Sequence, residues 1–310
     1  MTNEIRFRFI HLSRCRGVTR RSIQRIIKLD RSLLQLYQMT PSQISHTFSL
    51  PLKNATTLYQ DLHNQARLKQ LQLEMKNHHI ITILDKRFPS MLKAIHDPPL
   101  VLYGKGNVDL LNDAPSLSVI GSRDPSREAK RKTAFIIEPL LHKNWLIVSG
   151  LARGVDQYAH EKTLILNGKT IAVLGGGFEH LYPKENQSLY QEIVHKGLVL
   201  SEYTPTTPPA KHHFPERNRI ISGLSFGTLV IEAKKRSGTM ITVDQALEQG
   251  REVFAVPGSI FTEQTEGCHQ LIRDGAQMVT NAKDILEEWQ VHAMGGKGLL
   301  TSTHVYEKSN

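Results

Sequence analysis

The run Lys211-His212-His213-Phe214-Pro215-Glu216-Arg217-Asn218-Arg219 gathers three permanent cations and two imidazoles around one aromatic ring. It follows a Pro-rich stretch, residues 204–210, and leads into the apolar Ile220-Ile221-Ser222-Gly223-Leu224. Burying an unpaired guanidinium is costly, so the run reads as an exposed loop. Its chemistry suits anions and π-faces, with Arg forks for phosphates and Phe214 for a base.

Four further loops fall where strands are expected to end. Val119-Ile120-Gly121-Ser122-Arg123-Asp124-Pro125-Ser126 offers a tight turn and a projecting Arg123. Ser149-Gly150-Leu151-Ala152-Arg153-Gly154-Val155-Asp156 sets Arg153 between glycines at a helix start. Gly175-Gly176-Gly177 implies close backbone approach, and Ser237-Gly238-Thr239-Met240 opens another helix. Free amides at helix N-termini bind anions. Any one of these loops can be no more than a tight turn; four at one sheet edge point to a ligand.

The common nucleotide signatures are missing. No G-x-G-x-x-G follows the first parallel strand, no acidic residue ends the second, and no Walker A loop occurs. Asp156 and His160 share a helical face, an arrangement fit for acid–base work but more often structural, and Glu202 and Glu232 each follow a strand. G-x-S-x-G and H-E-x-x-H are absent. Adjacent histidines such as His212 and His213 point apart in an extended loop, so no metal ligand set is expected. No catalytic residue, metal or cofactor is assigned.

The elements that must position these loops follow from periodicity. Residues 1–75 read as short helices, with apolar positions such as Ile23, Ile26 and Ile27 at helical spacing and Thr19 as an N-cap. Gly17 separates two helical patterns, and Arg14, Arg16, Arg20, Arg21 and Arg25 could touch phosphates, although a plain accessory domain is the somewhat more natural reading. Beyond residue 76, β-branched runs at 117–120, 146–149, 170–174, 198–201, 228–231, 253–256 and 277–279 alternate with helical stretches, after strand-like runs at 79–84 and 100–103. That alternation implies an α/β fold: a Rossmann-like, doubly wound, mostly parallel sheet with ligands beyond the strand carboxyl ends, preceded by a small all-helical domain. Residues 76–289 form this larger domain, and 290–310 are expected to be a disordered tail.

Charge is uneven. The chain carries a net +10, yet residues 1–90 hold 15 Lys and Arg against 5 Asp and Glu, leaving 24 of each sign for the remainder. All net charge therefore sits in the N-terminal third, and local clusters matter elsewhere. No apolar run reaches the roughly 18 residues of a membrane helix, and no signal peptide is evident. Two distant cysteines, Cys15 and Cys268, suggest a reducing cytoplasm.

Taken in order, the motifs over roughly residues 80–289 resemble the DNA-processing protein A family (DprA, also called Smf). The resemblance rests on Gly121-Ser122-Arg123, the 149–156 loop with Ala159-His160, Ala172-Val173-Leu174-Gly175, Tyr182-Pro183 and Ser201-Glu202-Tyr203. It continues through Phe214-Pro215-Glu216-Arg217-Asn218-Arg219-Ile220-Ile221, Glu232-Ala233, Ser237-Gly238-Thr239, Val256-Pro257-Gly258 and Leu271-Ile272-Arg273-Asp274-Gly275-Ala276.

The resemblance implies a non-enzymatic protein that binds single-stranded DNA, shields DNA taken up in natural transformation, loads the RecA recombinase and acts as a homodimer. It implies a pocket using Arg123, Lys211, Phe214, Arg217, Asn218 and Arg219, shaped by Gly121, Ser122, Gly150 and Arg153, with Ser237 and Gly238 beside it. The N-terminal helices loosely resemble that family's sterile-alpha-motif-like domain. Two departures stand out: His269 occupies a place where the family carries Asn, and the residues after Trp289 are too few for the winged-helix domain of many members. The competing expectation is a nucleotide-processing hydrolase of the phosphoribohydrolase type. Its P-G-G-x-G-T-x-x-E loop survives only as a fragment in Phe226-Gly227-Thr228-Leu229-Val230-Ile231-Glu232.

Overall fold

The computed structural model describes residues 3–112 and 115–302. Six helices open the chain: α1 (Asn3–Arg14), α2 (Arg20–Leu29), α3 (Leu34–Gln38), α4 (Pro41–Phe48), α5 (Leu52–Leu62) and α6 (Gln65–Asn77). Thr19 caps α2 through a reciprocal box with Ser22, and Thr40 does the same for α4 with Gln43. Phe9, Ile10, Ile26, Leu36, Ile44, Phe48 and Leu58 fill the space between these helices.

The described residues then form one nine-stranded sheet from β1 (His79–Thr82), β2 (Val101–Gly106), β3 (Ser116–Ile120), β4 (Leu146–Ser149), β5 (Lys169–Leu174), β6 (Leu198–Ser201), β7 (Gly227–Val230), β8 (Glu252–Ala255) and β9 (Gln277–Met278). The spatial order is β1-β2-β6-β5-β4-β3-β7-β8-β9. β1–β2 and β2–β6 pair antiparallel, and every other pair is parallel. From β3 the chain winds outward through β4, β5 and β6, then returns to β7 on the other side of β3, with Leu117 opposite Gly227 and Ile120 opposite Val230. Winding therefore reverses between β3 and β7, where open α/β sheets leave a crevice.

Both faces of the sheet are covered, as continuous β-branched strands require. Ile120, Val148, Val173, Leu200 and Val230 point to one face, among α7 (Ser90–Lys93), α11 (His213–Gly223), α12 (Gly238–Glu248) and α13 (Glu266–Arg273). Val119, Ile147, Leu229 and Phe254 point to the other, with α8 (Ala129–Leu141), α9 (Val155–Ile165) and α14 (Ala282–Ser302). On that second face, Ala172, Leu174 and Val199 join α10 (Gln187–Lys196) and the N-terminal helices in one continuous apolar cluster.

Two sequence expectations change. The cationic run is not a loop: residues from His213 onward form the first turns of α11. Pro215 falls where a helix has no intrahelical use for its N–H, so it does not break the helix. At the other end, α14 continues through Ser302, into the segment expected to be disordered. Trp289 and His292 lie 5.0 Å from the Phe226 ring, and Trp289 also meets Trp145 edge-on, which anchors the helix beyond residue 289. The rest of that expected tail, 303–310, lies outside the described residues.

Candidate functional site

A cleft of about 630 Å³ opens beyond the carboxyl ends of β3 and β7. The β3–α8 turn supplies Gly121, Ser122, Arg123 and Asp124. The first turns of α11 supply Phe214, Arg217 and Asn218, with Lys211 just before them. Lys234, Ser237, Gly238 and Thr239 come from the β7–α12 connection, and Tyr182 closes one side. A small adjoining recess is lined by Gly150, Arg153 and Tyr182 and shares Arg123, Phe214 and Arg217 with the cleft. Every residue singled out for the pocket from sequence is thus brought together, except Arg219.

Arg219 turns away and is 7% exposed. Its Nη2 donates to Glu202 Oε2 at 2.5 Å. Arg217 is buried as well, donating from Nη1 to the Val173 carbonyl at 3.1 Å. The expectation that the guanidiniums of this run are exposed therefore fails for both. Arg219 has a carboxylate partner, and Arg217 has a carbonyl and the nearby charge of Asp156. Burial lowers the Arg217 pKa to about 10, while Asp156 opposes that shift, and its Nε remains without a partner.

The floor of the cleft is preset. Asp156 accepts N–H bonds from Gly150 and Ala152, and Asn186 Nδ2 donates to the carbonyls of Leu151 and Ala152. These bonds hold Leu151 at φ +58°, a left-handed conformation that costs a non-glycine residue about 1–2 kcal/mol. Burial pushes the Asp156 carboxyl upward and the Arg217 charge counters it. The Arg217 guanidinium packs on the bare backbone of Gly150, where an added Cβ would lie 1.4 Å from Nη1 and force the side chain to move. Gly175 has the same role under Phe214, whose Cδ1 would be 2.9 Å from an added Cβ.

Above this floor the aromatic surface is assembled in layers. The Arg123 guanidinium lies 5.5 Å from the centre of the Phe214 ring, and Tyr182 meets that ring edge-on at 5.6 Å. Arg123, Arg153 and Lys211 are exposed, and none has a carboxylate partner among the described residues. The α12 N-terminus faces the same space, with Ser237 Oγ unpartnered and nothing within 4 Å of where a Gly238 Cβ would lie. Such an arrangement can hold a flat ring against Phe214 and anionic groups on the surrounding cations and amides.

The carboxylates and histidine considered for catalysis are occupied elsewhere. His160 bonds Thr170 Oγ1 through Nδ1 at 2.7 Å rather than Asp156, and burial pushes it down to about 3. Glu232 is fully buried and accepts from Ser126 N, Ser126 Oγ and Lys132 Nζ. Glu202 is held by Arg20 and Arg219. Among the described residues no cluster of His, Cys, Asp or Glu is arranged to hold a metal, and no helix is long and apolar enough to cross a membrane.

Sequence reasoning gave no role to Tyr182, Lys234, Thr239 or the Asp156 bracket. Tyr182-Pro183 and Lys234-Lys235-Arg236 were visible signals, but nothing local says that these segments reach the β3–β7 edge.

Comparison with known proteins agrees with this geometry. The family model for DNA recombination-mediator protein A matches residues 79–290. DNA processing protein DprA of Bacillus subtilis is 46% identical over 208 residues, covering 67% of this chain and 70% of that protein. Protein Smf of Escherichia coli is 39% identical over 263 residues, covering 84% and 67%. Among solved structures, DNA processing protein A from Streptococcus pneumoniae superposes with a TM-score of 0.81 at 38% identity, covering 93% of this chain and 98% of that one. The Helicobacter pylori protein, solved for its single-stranded DNA binding mode, gives 0.62 at 29% identity, covering 69% and 96%. A Rossmann-like sheet with this crevice, matched by the family model over most of its length, belongs to the DNA recombination-mediator protein A family, known also as DprA or Smf.

Proposed function

We propose that this chain is a recombination mediator that binds single-stranded DNA across the β3–β7 cleft, without catalysing a reaction on it. The observation that carries the reading is the Phe214 ring. It is backed by the Gly175 backbone, approached by Arg123 and edged by Tyr182, and it lines the same cleft as the buried Arg217. An aromatic ring among unpaired cations suits an unpaired base, whereas duplex bases are already stacked on one another. Arg123, Lys211 and Arg153 take the flanking phosphates, and Gly121, Ser122, Asn218, Ser237 and Gly238 complete the wall. Arg219 supports the wall from behind. A purely binding role is supported by Asp156, His160, Glu202 and Glu232, each engaged in a structural contact.

Titration of labelled single- and double-stranded oligonucleotides across a salt series tests this. Tighter binding of the single strand, with log K falling linearly in log salt, is expected. Equal affinity for both forms, or no salt dependence, overturns it.

The same reading has the chain act in the cytoplasm as a homodimer that loads RecA during natural transformation. Sedimentation, together with RecA filament assembly on coated single strands, checks both parts. A monomer with no effect on assembly removes them.

A further inference from the structure

Arg20 opens α2, far from the cleft in sequence, yet it reaches the carboxyl end of β6. Its Nη1 donates to Glu202 Oε1 at 2.9 Å and its Nη2 lies 2.8 Å from Asp97 Oδ2. Glu202 uses its other oxygen for Arg219 of α11, whose Nε is 3.8 Å from the same Asp97 oxygen. Two guanidiniums and two carboxylates form a charge-balanced ring whose closing contact, Arg219 to Asp97, is an ion pair without a hydrogen bond. The Glu202 and Arg219 side chains are only 14% and 8% exposed, so water competes weakly for them.

Arg219 follows Arg217 by two positions on α11, which puts the two side chains on opposite sides of the helix. One side presents Phe214, Arg217 and Asn218 to the cleft. The other is gripped by the ring. The C-terminal end of α11 has its own anchors, since Ser118 Oγ donates to the Ile221 carbonyl and Ser116 Oγ to that of Leu224. α12 steadies the helix through Gln245 to the Pro215 carbonyl and Gln249 to that of Arg219. On the β6 side, the first turns depend on two consecutive residues: Glu202, and Tyr203, whose hydroxyl donates to Glu216 Oε2 at 2.8 Å.

We propose that Arg20 is a positioning residue for the cleft: through Glu202 and Arg219 it fixes the setting of α11, and so couples the N-terminal helices to the binding surface. The inference rests on the single-strand reading above but adds a residue that touches no ligand.

The test compares single-strand binding by the full chain, Arg20→Met, Arg20→Lys, Glu202→Gln and the Arg20→Met/Glu202→Gln double variant across a salt series, with melting temperature recorded for each. Arg20→Met is expected to weaken binding about tenfold, the size of an ordinary coupling between sites. Its salt slope is expected to match that of the unaltered chain, because no phosphate contact is lost. Arg20→Lys keeps one of the two bonds and recovers part of the affinity. The double variant is expected to bind no worse than Glu202→Gln, because both changes break one chain of contacts.

Unchanged affinity in folded Arg20→Met overturns the inference. So does a salt slope lower by about one, which would make Arg20 itself a phosphate contact. If Arg20→Met fails to fold, binding by Arg20→Lys and Glu202→Gln decides: full affinity in both overturns the coupling. Failure of the unaltered chain to bind single strands would instead overturn the proposed function, and this inference with it.

Discussion

The N-terminal helices and the β3–β7 cleft use cations in opposite ways. Residues 1–90, most of them in these helices, hold the chain's whole net charge, yet six of their fifteen cations are locked into ion pairs. Arg14 pairs with Glu74, Arg6 with Asp85, and Arg16 and Arg67 share the buried Asp61. Hydrogen bonding from Arg16 holds the Asp61 carboxyl below the usual carboxylate range despite its burial. The cleft lies in the part of the chain with no net charge, but its cations either stand free, as Arg123 and Lys211 do, or press from below, as Arg217 does. A count of charges would have placed the ligand on the helices. Field at a surface depends on which cations lack partners and on what focuses them.

The contrast can be broken most severely at Arg217. Arg217→Met leaves Asp156 buried with its main compensating charge gone. Single-strand affinity is expected to fall roughly 100-fold, and stability by about 2–4 kcal/mol in a urea titration. Full affinity in that variant would mean the cleft owes nothing to its buried cation.

Acid probes one histidine on α1 and one on α9, the helix whose first turn carries Asp156. Burial pushes His160 down to about 3 and His11 down to about 4, against an ordinary 6.5. Each is neutral when folded and takes a proton when unfolded below pH 6.5. Their stabilisation is therefore complete above that value and is lost as pH falls toward 4, by at most about 3 kcal/mol per group. Melting temperatures between pH 7 and 4 are expected to fall less steeply in His160→Gln and His11→Gln. Identical slopes would sink the assignment.

Phe214→Ala is expected to cost about 1–3 kcal/mol of binding with the salt slope intact, read by the same titration. The finest test sets Arg123→Ala against Arg21→Ala, where Arg21 is an exposed cation on α2. The first is expected to reduce the salt slope by about one and affinity about fivefold, and the second to change neither. Equal losses in both would erase the distinction between the two regions.

Most of the strands and their order of appearance could be read from sequence because they are short, β-branched or apolar runs, as in Leu146-Ile147-Val148. The glycine and arginine loops were legible for the same reason: once a parallel sheet is expected, its carboxyl edge collects them. The burial of α11 could not be read. Its charges are neutralised by Glu202 and by the field of Asp156, which lie elsewhere in the chain, so the local pattern looked like an exposed loop. The Arg20–Glu202 bond spans 182 residues and has no local signal at all.

The apolar cluster that runs from Phe9 and Ile26 through Tyr103 to Ala172 and Val199 has a thermodynamic consequence. Helices and sheet share one dry interior, so neither can melt while leaving the other's contacts intact. Calorimetry is then expected to show a single transition. A strand bound in the cleft would, by mass action, raise the temperature at which helices it never touches come apart.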